Sequence, residues 1–407
     1  MKILLINKYF YLKGGAEKHF FALRQLLKDN KNEVIDFAMK DEKNVSSPDE
    51  NYFISPINTE KLFSWSIFKT MGRILWSLEA RKKIKKIIAS EKPALVHLHN
   101  IYHQISPSIL PIFKKYKIPV VMTVHDFALI SPSINMFAKN KIYDKIIGRH
   151  YYLCLKDRCV KNSFWLSLAS VLEMYLHHKI LKVYHKNIDL FICPSNFLAE
   201  MLIKAGFEKN KIVILPNFIF NKPSVPIEKK QDEKYFLYFG RLSAEKGINV
   251  LLAAIKNLPD INLKIAGAGP EEKNCLKIIK EYNLNHVKLL GYQNEINLTK
   301  LISHAYAIIV PSLCYENCPL SILESMALGK TVIASNVGGI PELINNDDNG
   351  ILFKAGDQNA LQTVLRELWI NEDKCQKMAQ NSLNKANKYS AEEYLAKLQN
   401  LYKKLCP

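Results

Sequence analysis

The sequence predicts an α/β protein built from two doubly wound parallel-sheet domains facing an inter-domain cleft. Three observations carry that prediction. The chain has 407 residues, too many for one ordinary hydrophobic core, so two domains are expected. Short apolar runs bounded by turn residues alternate with helical periodicity from end to end, as buried parallel strands with helical crossovers require. One proline-rich, charged stretch, PNFIFNKPSVPIEKKQDEK from Pro216 to Lys234, interrupts the series near its middle and reads as a linker.

The elements follow in order. KILLI (Lys2 to Ile6), ALVHL (Ala94 to Leu98), PVVMTV (Pro119 to Val124), DLFIC (Asp189 to Cys193) and KIVIL (Lys211 to Leu215) are the buried strands expected before the linker. YFLYF (Tyr235 to Phe239), NLKIA (Asn262 to Ala266), HVKLL (His286 to Leu290), YAIIV (Tyr306 to Val310), TVIAS (Thr331 to Ser335) and GILF (Gly350 to Phe353) are those expected after it. The closing segment, SAEEYLAKLQNLYKKL, opens on Ser390 with Glu393 three residues on, a capping box. Residues 1–220 are therefore read as one domain and 221–385 as a second. Residues 386–407 are read as a helix packing back on the first. Ligands of open α/β sheets bind beyond the carboxyl ends of the strands.

Composition narrows the class. A hydrophobic content of 48% with 23% charged residues describes a folded chain, not a disordered one. The apolar start is too short for a signal peptide and lacks a small-residue cleavage site. No stretch reaches the roughly 18 to 20 apolar residues of a membrane span; SFWLSLASVLEMYLHHK, Ser163 to Lys179, stops short. A cytoplasmic protein is expected. Eight cysteines without the spacing of a disulfide framework suit a reducing compartment. His150, Cys154 and Cys159 come nearest to a metal pattern but lack a C-x-x-C pair and a fourth ligand, so thiols and no metal are expected.

A net charge of +19 implies an anionic partner. No nucleic-acid-binding module accompanies it, so nucleic acid is not expected. The sharpest basic cluster is LFSWSIFKTMGRILWSLEARKKIKKII, Leu62 to Ile88. Tryptophans followed by Arg81, Lys82, Lys83, Lys85 and Lys86 fit docking on an anionic membrane surface, the inner face of the plasma membrane. A core-packing helix with a solvated basic end explains the same pattern.

Four motifs sit at predicted strand ends. In YFGRLSAEKG, Gly240 allows a sharp exit, and Arg241 and Lys246 flank a helix start where a diphosphate fits. Two surface cations in a loop are the plain alternative. In IAGAGPEE, Gly267 and Gly269 lack the third glycine of a dinucleotide fingerprint, leaving close ligand approach or turn chemistry. KGGAEKHF puts Gly14 and Gly15 after the first strand, as a phosphate or acceptor loop or a tight turn. TVHDF puts His125 just past a strand end, as a substrate contact or a structural histidine.

ENCPLSILE joins these into one scheme. Pro319 suits the first turn of a helix, so Glu316 precedes the helix and Glu324 lies within it, a climb of roughly 7 to 8 Å from the proline. The free backbone N–H groups from Cys318 through Leu320 to Ser321 lie between the two carboxylates. A nucleotide sugar has the matching order: Glu324 to ribose, Arg241 and Lys246 to diphosphate, Glu316 to hexose. A glycoside hydrolase would instead use Glu316 and Glu324 as acid and nucleophile, with no need of the cations or the glycine loops.

FGRLSAEKG, AGAGPEE and YENCPLSILESMALGKTVIASNVGGIPELI resemble the carboxyl-terminal half of family 4 (group 1) retaining glycosyltransferases, which share the GT-B fold of two Rossmann-like domains. The likeness runs from Gly14 and Gly15 to about Phe353. It implies a nucleotide-sugar donor, a UDP-sugar first, held mainly by the second domain, with retention at the anomeric carbon. It matches Arg241 and Lys246 to the phosphate-binding pair, Glu316 and Glu324 to the motif glutamates, His125 to the histidine beside the transferred sugar, and Gly14 and Gly15 to the amino-terminal loop. Most relatives carry Gly or Ala with Phe where this chain has Asn317 and Cys318, next to Pro319. The implied enzyme moves a hexose-type sugar by front-face substitution, and the basic, tryptophan-containing segment from Leu62 to Ile88 favours a cell-envelope glycan or lipid-linked acceptor. It needs neither metal nor cofactor, the nucleotide sugar being a substrate. No D-x-D motif is present, and Asp347–Asp348–Asn349–Gly350 reads as a turn. A soluble transferase of storage or small-molecule sugars and a non-catalytic nucleotide-sugar-binding protein remain the alternatives.

Overall fold

The computed structural model describes residues 1–57, 72–148, 150–220 and 233–406. These form two compact units: Met1–Asn135 with Asp144–Pro216 and Ala391–Pro407, and Met136–Tyr143 with Asn217–Ser390. Each unit is built on a six-stranded sheet whose strands all run parallel.

Unit 1 holds β1 (Lys2–Ile6), β2 (Glu33–Phe37), β3 (Leu95–Leu98), β4 (Val120–Thr123), β5 (Leu190–Cys193) and β6 (Ile212–Ile214) in the order β2-β1-β3-β4-β5-β6. Ile3, Leu4, Leu5 and Ile6 are all fully buried, because a parallel sheet is covered on both faces. Their register sets Ile3 opposite Val34 and Leu95. β2, EVIDF, is not among the strands expected from the sequence, since Asp36 breaks its apolar run. That carboxylate is buried and takes a two-pronged hydrogen bond from Arg24, at 2.8 and 2.7 Å, which makes it tolerable in a strand.

Unit 2 holds β7 (Phe236–Phe239), β8 (Leu263–Ala266), β9 (Val287–Gly291), β10 (Ala307–Val310), β11 (Thr331–Ser335) and β12 (Gly350–Phe353) in the order β9-β8-β7-β10-β11-β12. The helix Ile248–Ile255 buries Ile248, Leu251, Leu252 and Ile255 on the sheet, the i, i+3, i+4, i+7 stripe of an amphipathic crossover. In this sheet the connections reverse direction between β7 and β10; in unit 1 they do so between β1 and β3. Such switch points leave a crevice at the strands' carboxyl ends.

Three local features differ from the sequence reading. A hairpin, Phe137–Ala138 with Lys141–Ile142, lies in an excursion that belongs to unit 2, where Ile142 packs against the core. The segment belonging to unit 1 starts at Ala391, five residues later than read; its helix, Ala391–Leu405, buries Tyr394, Leu395, Leu398 and Tyr402. Cys154 and Cys159, expected as thiols, form a disulfide. The helix Tyr152–Asp157 ends on Arg158 in the left-handed region (φ 50°), and Cys159 N–H returns to the Cys154 carbonyl at 3.0 Å. That helix-ending turn brings positions five apart together.

The basic cluster lies partly outside the described residues, from 62 to 71. Its described part forms the helix Leu78–Glu91, which buries Ala80, Ile84, Ile87 and Ile88 in unit 1. Lys82, Lys85 and Lys86 are exposed, Lys83 donates to the Phe53 carbonyl, and Arg81 lies over the Trp76 ring. The apolar side of this helix is committed to the core. Among the described residues no helix is long and apolar enough to cross a membrane.

Candidate functional site

A polar convergence in unit 2 lies at its switch point, on the loops that leave β7 and β10. The β7 loop runs through Gly240, Arg241 and Ser243 to a short turn, Ala244–Lys246, and then Gly247. The Arg241 carbonyl accepts from the Tyr238 hydroxyl at 2.8 Å, and the Arg241 side chain is exposed. Gly247 has φ 73°, and a side chain there would run into the Pro311 carbonyl just beyond β10. Glycine thus lets the two loops meet. The Glu245 carbonyl accepts from Leu313 N–H at 2.8 Å, completing the seam.

Across that seam Lys246 Nζ donates to Glu316 Oε1 at 2.6 Å, and Ser312 Oγ donates to the same oxygen at 2.7 Å. The Glu316 side chain is 12% exposed and that of Lys246 is 34%. Burial pulls the Lys246 ammonium toward deprotonation, but the Glu316 carboxylate together with Cys314 and Glu245 outweighs it and holds the pKa above its ordinary value. Lys246 is therefore a fixed cation at neutral pH. The Glu316 carbonyl accepts from Gly339 N–H at 2.7 Å, which pins the backbone of the acid.

Beyond Glu316, Asn317 and Cys318 are buried, and Asn217 Nδ2 donates to the Cys318 carbonyl at 2.9 Å. Burial pushes the Cys318 thiol up to about 12, so it is no thiolate. Pro319 stands at the cap of the helix Leu320–Ala327, one position earlier than the sequence reading put it. Pro319 gives this terminus no side-chain cap, so its first N–H groups can face an anion. Glu324 is half-buried within the helix.

Gly267 and Gly269 serve a different end from ligand approach alone. Side chains on them would collide with the carbonyls of Gly240 and Leu242, and the two exits are laced by Gly240 N–H to the Ala266 carbonyl and Leu242 N–H to the Ala268 carbonyl, both 3.0 Å. They let one loop lie on the other. The Asp347–Asn349 stretch is a turn, with Asp347 at φ 61°.

In unit 1 the carboxyl ends of β3 and β4 carry a histidine cluster. His125 Nε2 and His99 Nδ1 share a hydrogen bond at 2.7 Å, with rings stacked at 5.0 Å. His97 stacks on His99 at 4.8 Å and bonds the Tyr402 hydroxyl at 2.5 Å and the Thr123 hydroxyl at 2.8 Å. His19 completes the group, its ring 5.2 Å from that of His125. Burial lowers every one of these imidazoles: His125 to about 4, His97 to about 3, His19 and His99 well below their ordinary value. All four are neutral at pH 7, so His125 offers a hydrogen bond rather than a charge. Gly14 and Gly15 are exposed at the start of the helix Gly15–Asp29. Two residues on, Glu17 is buried and receives Asn7 Nδ2 at 3.5 Å; burial holds its carboxyl above the usual range.

The structure thus brings Lys246 and Glu316 into contact, sets Gly240, Gly267 and Gly269 in one loop pair, and gathers Asn317, Cys318, Pro319, Leu320 and Glu324 around one helix start. Ser312, Gly247 and the partners of His125 escaped the sequence reading. Gly247 closes the quoted EKG motif, but Ser312 and the histidines are joined only by strand pairing.

The same loops and helix start carry the sequence pattern of known proteins. Residues 13–220 match the family described as Glycosyltransferase Family 4, and residues 221–385 match Glycosyl transferases group 1. The chain belongs to this family of glycosyltransferases. A glycosyltransferase of Methanocaldococcus jannaschii, itself uncharacterized, is 25% identical over 405 residues, covering 100% of this chain and 99% of its own. The lipopolysaccharide core biosynthesis glycosyltransferase LpsE of Rhizobium meliloti is 25% identical over 191 residues, covering 46% of this chain and 55% of its own. Among solved structures, HepE of Anabaena in complex with UDP superposes with a TM-score of 0.70 at 17% identity, covering 99% of this chain and 100% of that one. The sucrose-phosphate synthase of Thermosynechococcus elongatus gives a TM-score of 0.72 at 20% identity, covering 99% and 98%. The fold of this glycosyltransferase is GT-B, an α/β fold with two Rossmann-like domains.

Proposed function

We propose that this glycosyltransferase moves a hexose-type sugar from a UDP-sugar to a cell-envelope glycan or lipid-linked acceptor, with retention and without a metal ion. The observation that carries the reading is the Lys246–Glu316 contact at the switch point of the second sheet. It sets a permanent cation and a hydrogen-bond-accepting carboxylate side by side next to an uncapped helix start. Arg241, Lys246 and that helix start take the diphosphate, Glu316 the hexose hydroxyls and Glu324 the ribose. Charge growing on the departing phosphate is stabilised by groups already in place, and the phosphate itself accepts the acceptor's proton. His125, neutral, contacts the transferred sugar, and the Gly14–Gly15 loop contacts the acceptor side.

A UDP donor is supported by the fold it shares with HepE, whose structures hold UDP and UDP-glucose. An envelope acceptor is supported by relatives named for lipopolysaccharide core and colanic acid biosynthesis. A thermal-shift panel of UDP-, GDP- and ADP-sugars tests the donor, since a ligand bound by the native state raises its stability by mass action. UDP-sugars should give the largest shift; a larger shift with GDP- or ADP-sugars would reassign the nucleotide.

A further inference from the structure

The helix Phe164–Met174 is apolar on its outward side as well as its inward one. Its inward residues are Ser167, Val171 and Met174, whereas Trp165 is 75% and Leu172 56% exposed. Trp165, Leu168 and Leu172 follow the i, i+3, i+7 spacing of a single stripe, so the outward stripe is the more apolar one. The wide turn Tyr175–Ile180 follows directly and leaves Ile180 69% exposed. Isolated exposed apolar residues need no explanation; a run of them on one helix does.

The surroundings are cationic. Lys161 precedes the helix, Lys179 and Lys182 follow it, and all three are exposed and in no ion pair with a described carboxylate. The helix's one acid, Glu173, is 12% exposed and faces His103 and His177, at 3.1 and 3.8 Å. Eleven residues rise only about 16 Å, too little to span a bilayer, but enough to lie along its surface. The helix is held rigidly for this. The Ser163 hydroxyl caps it by accepting from Leu166 N–H, Ser167 Oγ accepts from Val160 N–H at 3.1 Å, and the Cys154–Cys159 disulfide braces the preceding turn.

We propose that this face, with Trp165, Leu172 and Ile180 ringed by Lys161, Lys179 and Lys182, docks the protein on an anionic lipid surface. Charge complementarity selects that occupant. Tryptophan settles at the headgroup level, and each lysine near an anionic surface adds attraction. A second copy seated face to face would set these lysines against their own counterparts. The assignment moves the membrane contact from the basic cluster at 62–88, whose described helix spends its apolar side in the core, and it holds whichever sugar is transferred.

The test is flotation of the full chain with vesicles of phosphatidylglycerol in phosphatidylcholine, against phosphatidylcholine alone. The wild type should bind the anionic vesicles with a blue shift of tryptophan emission, and Trp165→Phe should remove that shift. Trp165→Ser with Leu172→Ser, and separately Lys161→Gln with Lys179→Gln and Lys182→Gln, should each weaken binding at least about tenfold. Melting temperature and the UDP-induced thermal shift should stay unchanged in both. Lys82→Gln with Lys85→Gln and Lys86→Gln should bind like the wild type. Absence of wild-type binding overturns the proposal, as does wild-type binding by the Trp165→Ser pair or loss of binding in the Lys82 set. A concentration-dependent dimer abolished by Trp165→Ser would also overturn it, in favour of a second copy.

Discussion

Acidification should unfold unit 1 by a route that the histidine cluster sets. In an unfolded chain these imidazoles take up protons near pH 6.5; in the fold His125 resists until about 4 and His97 until about 3. Their folded values are depressed, so their contribution is complete above about pH 6.5 and is lost as pH falls toward the folded values. Between pH 7 and pH 5 each is expected to remove roughly 2 kcal/mol of stability, roughly 4 kcal/mol for the two. His19 and His99 push the same way. Glu17 and Asp126, whose carboxyls burial holds high, push the other way and trim the total. Urea unfolding at pH 7 and pH 5, followed by hydrogen exchange at the amides of β3 and β4, reads unit 1 by itself. His97→Gln should destabilise the protein at pH 7 yet lose less between the two pH values. An unchanged midpoint at pH 5, or an undiminished pH difference in His97→Gln, would refute the reasoning.

Further outcomes are expected at the candidate site and its supports. Lys246→Ala and Glu316→Ala should each lower turnover by about 100-fold or more, as loss of a preorganised electrostatic group does, with an unchanged circular dichroism spectrum; wild-type turnover in either removes that residue from the mechanism. Gly247→Ala should destabilise unit 2 by about 1 to 3 kcal/mol or more, since a side chain there meets the Pro311 carbonyl; denaturant unfolding checks this. Cys154→Ser with Cys159→Ser should cost about 2 kcal/mol by loop-entropy reasoning and raise hydrogen exchange in the helix Phe164–Met174 while sparing unit 2.

The parts of this fold legible in the sequence were those fixed by local pattern. Eleven apolar runs named from the sequence are all strands of the two sheets; most are buried on both faces and have few ways to be written, whereas β6 and β9, expected to be buried, lie at sheet edges and are partly exposed. β2 was missed because Asp36 depends on Arg24, a partner outside the strand. The motif glutamate and lysine were legible from their spacing to glycine and proline, but their contact was not, since it depends on β7 and β10 lying side by side. The disulfide was hidden for a different reason. A spacing of five carries no signal until Arg158 turns left-handed and folds Cys159 back. The basic cluster could be read two ways because charge stands out in a sequence while the direction of its isoleucines, buried in unit 1 along the helix Leu78–Glu91, does not.

The helix Ala391–Leu405 belongs to the same unit as β1, and the Tyr402 hydroxyl meets a histidine at the end of β3. During vectorial synthesis the first sheet must therefore wait for the whole second unit to leave the ribosome before its last apolar face is covered. Residues 217–390, by contrast, supply every strand of their own sheet and can settle early. The order of emergence and the order of completion are thus inverted, and the amino-terminal strands spend that interval in need of shelter.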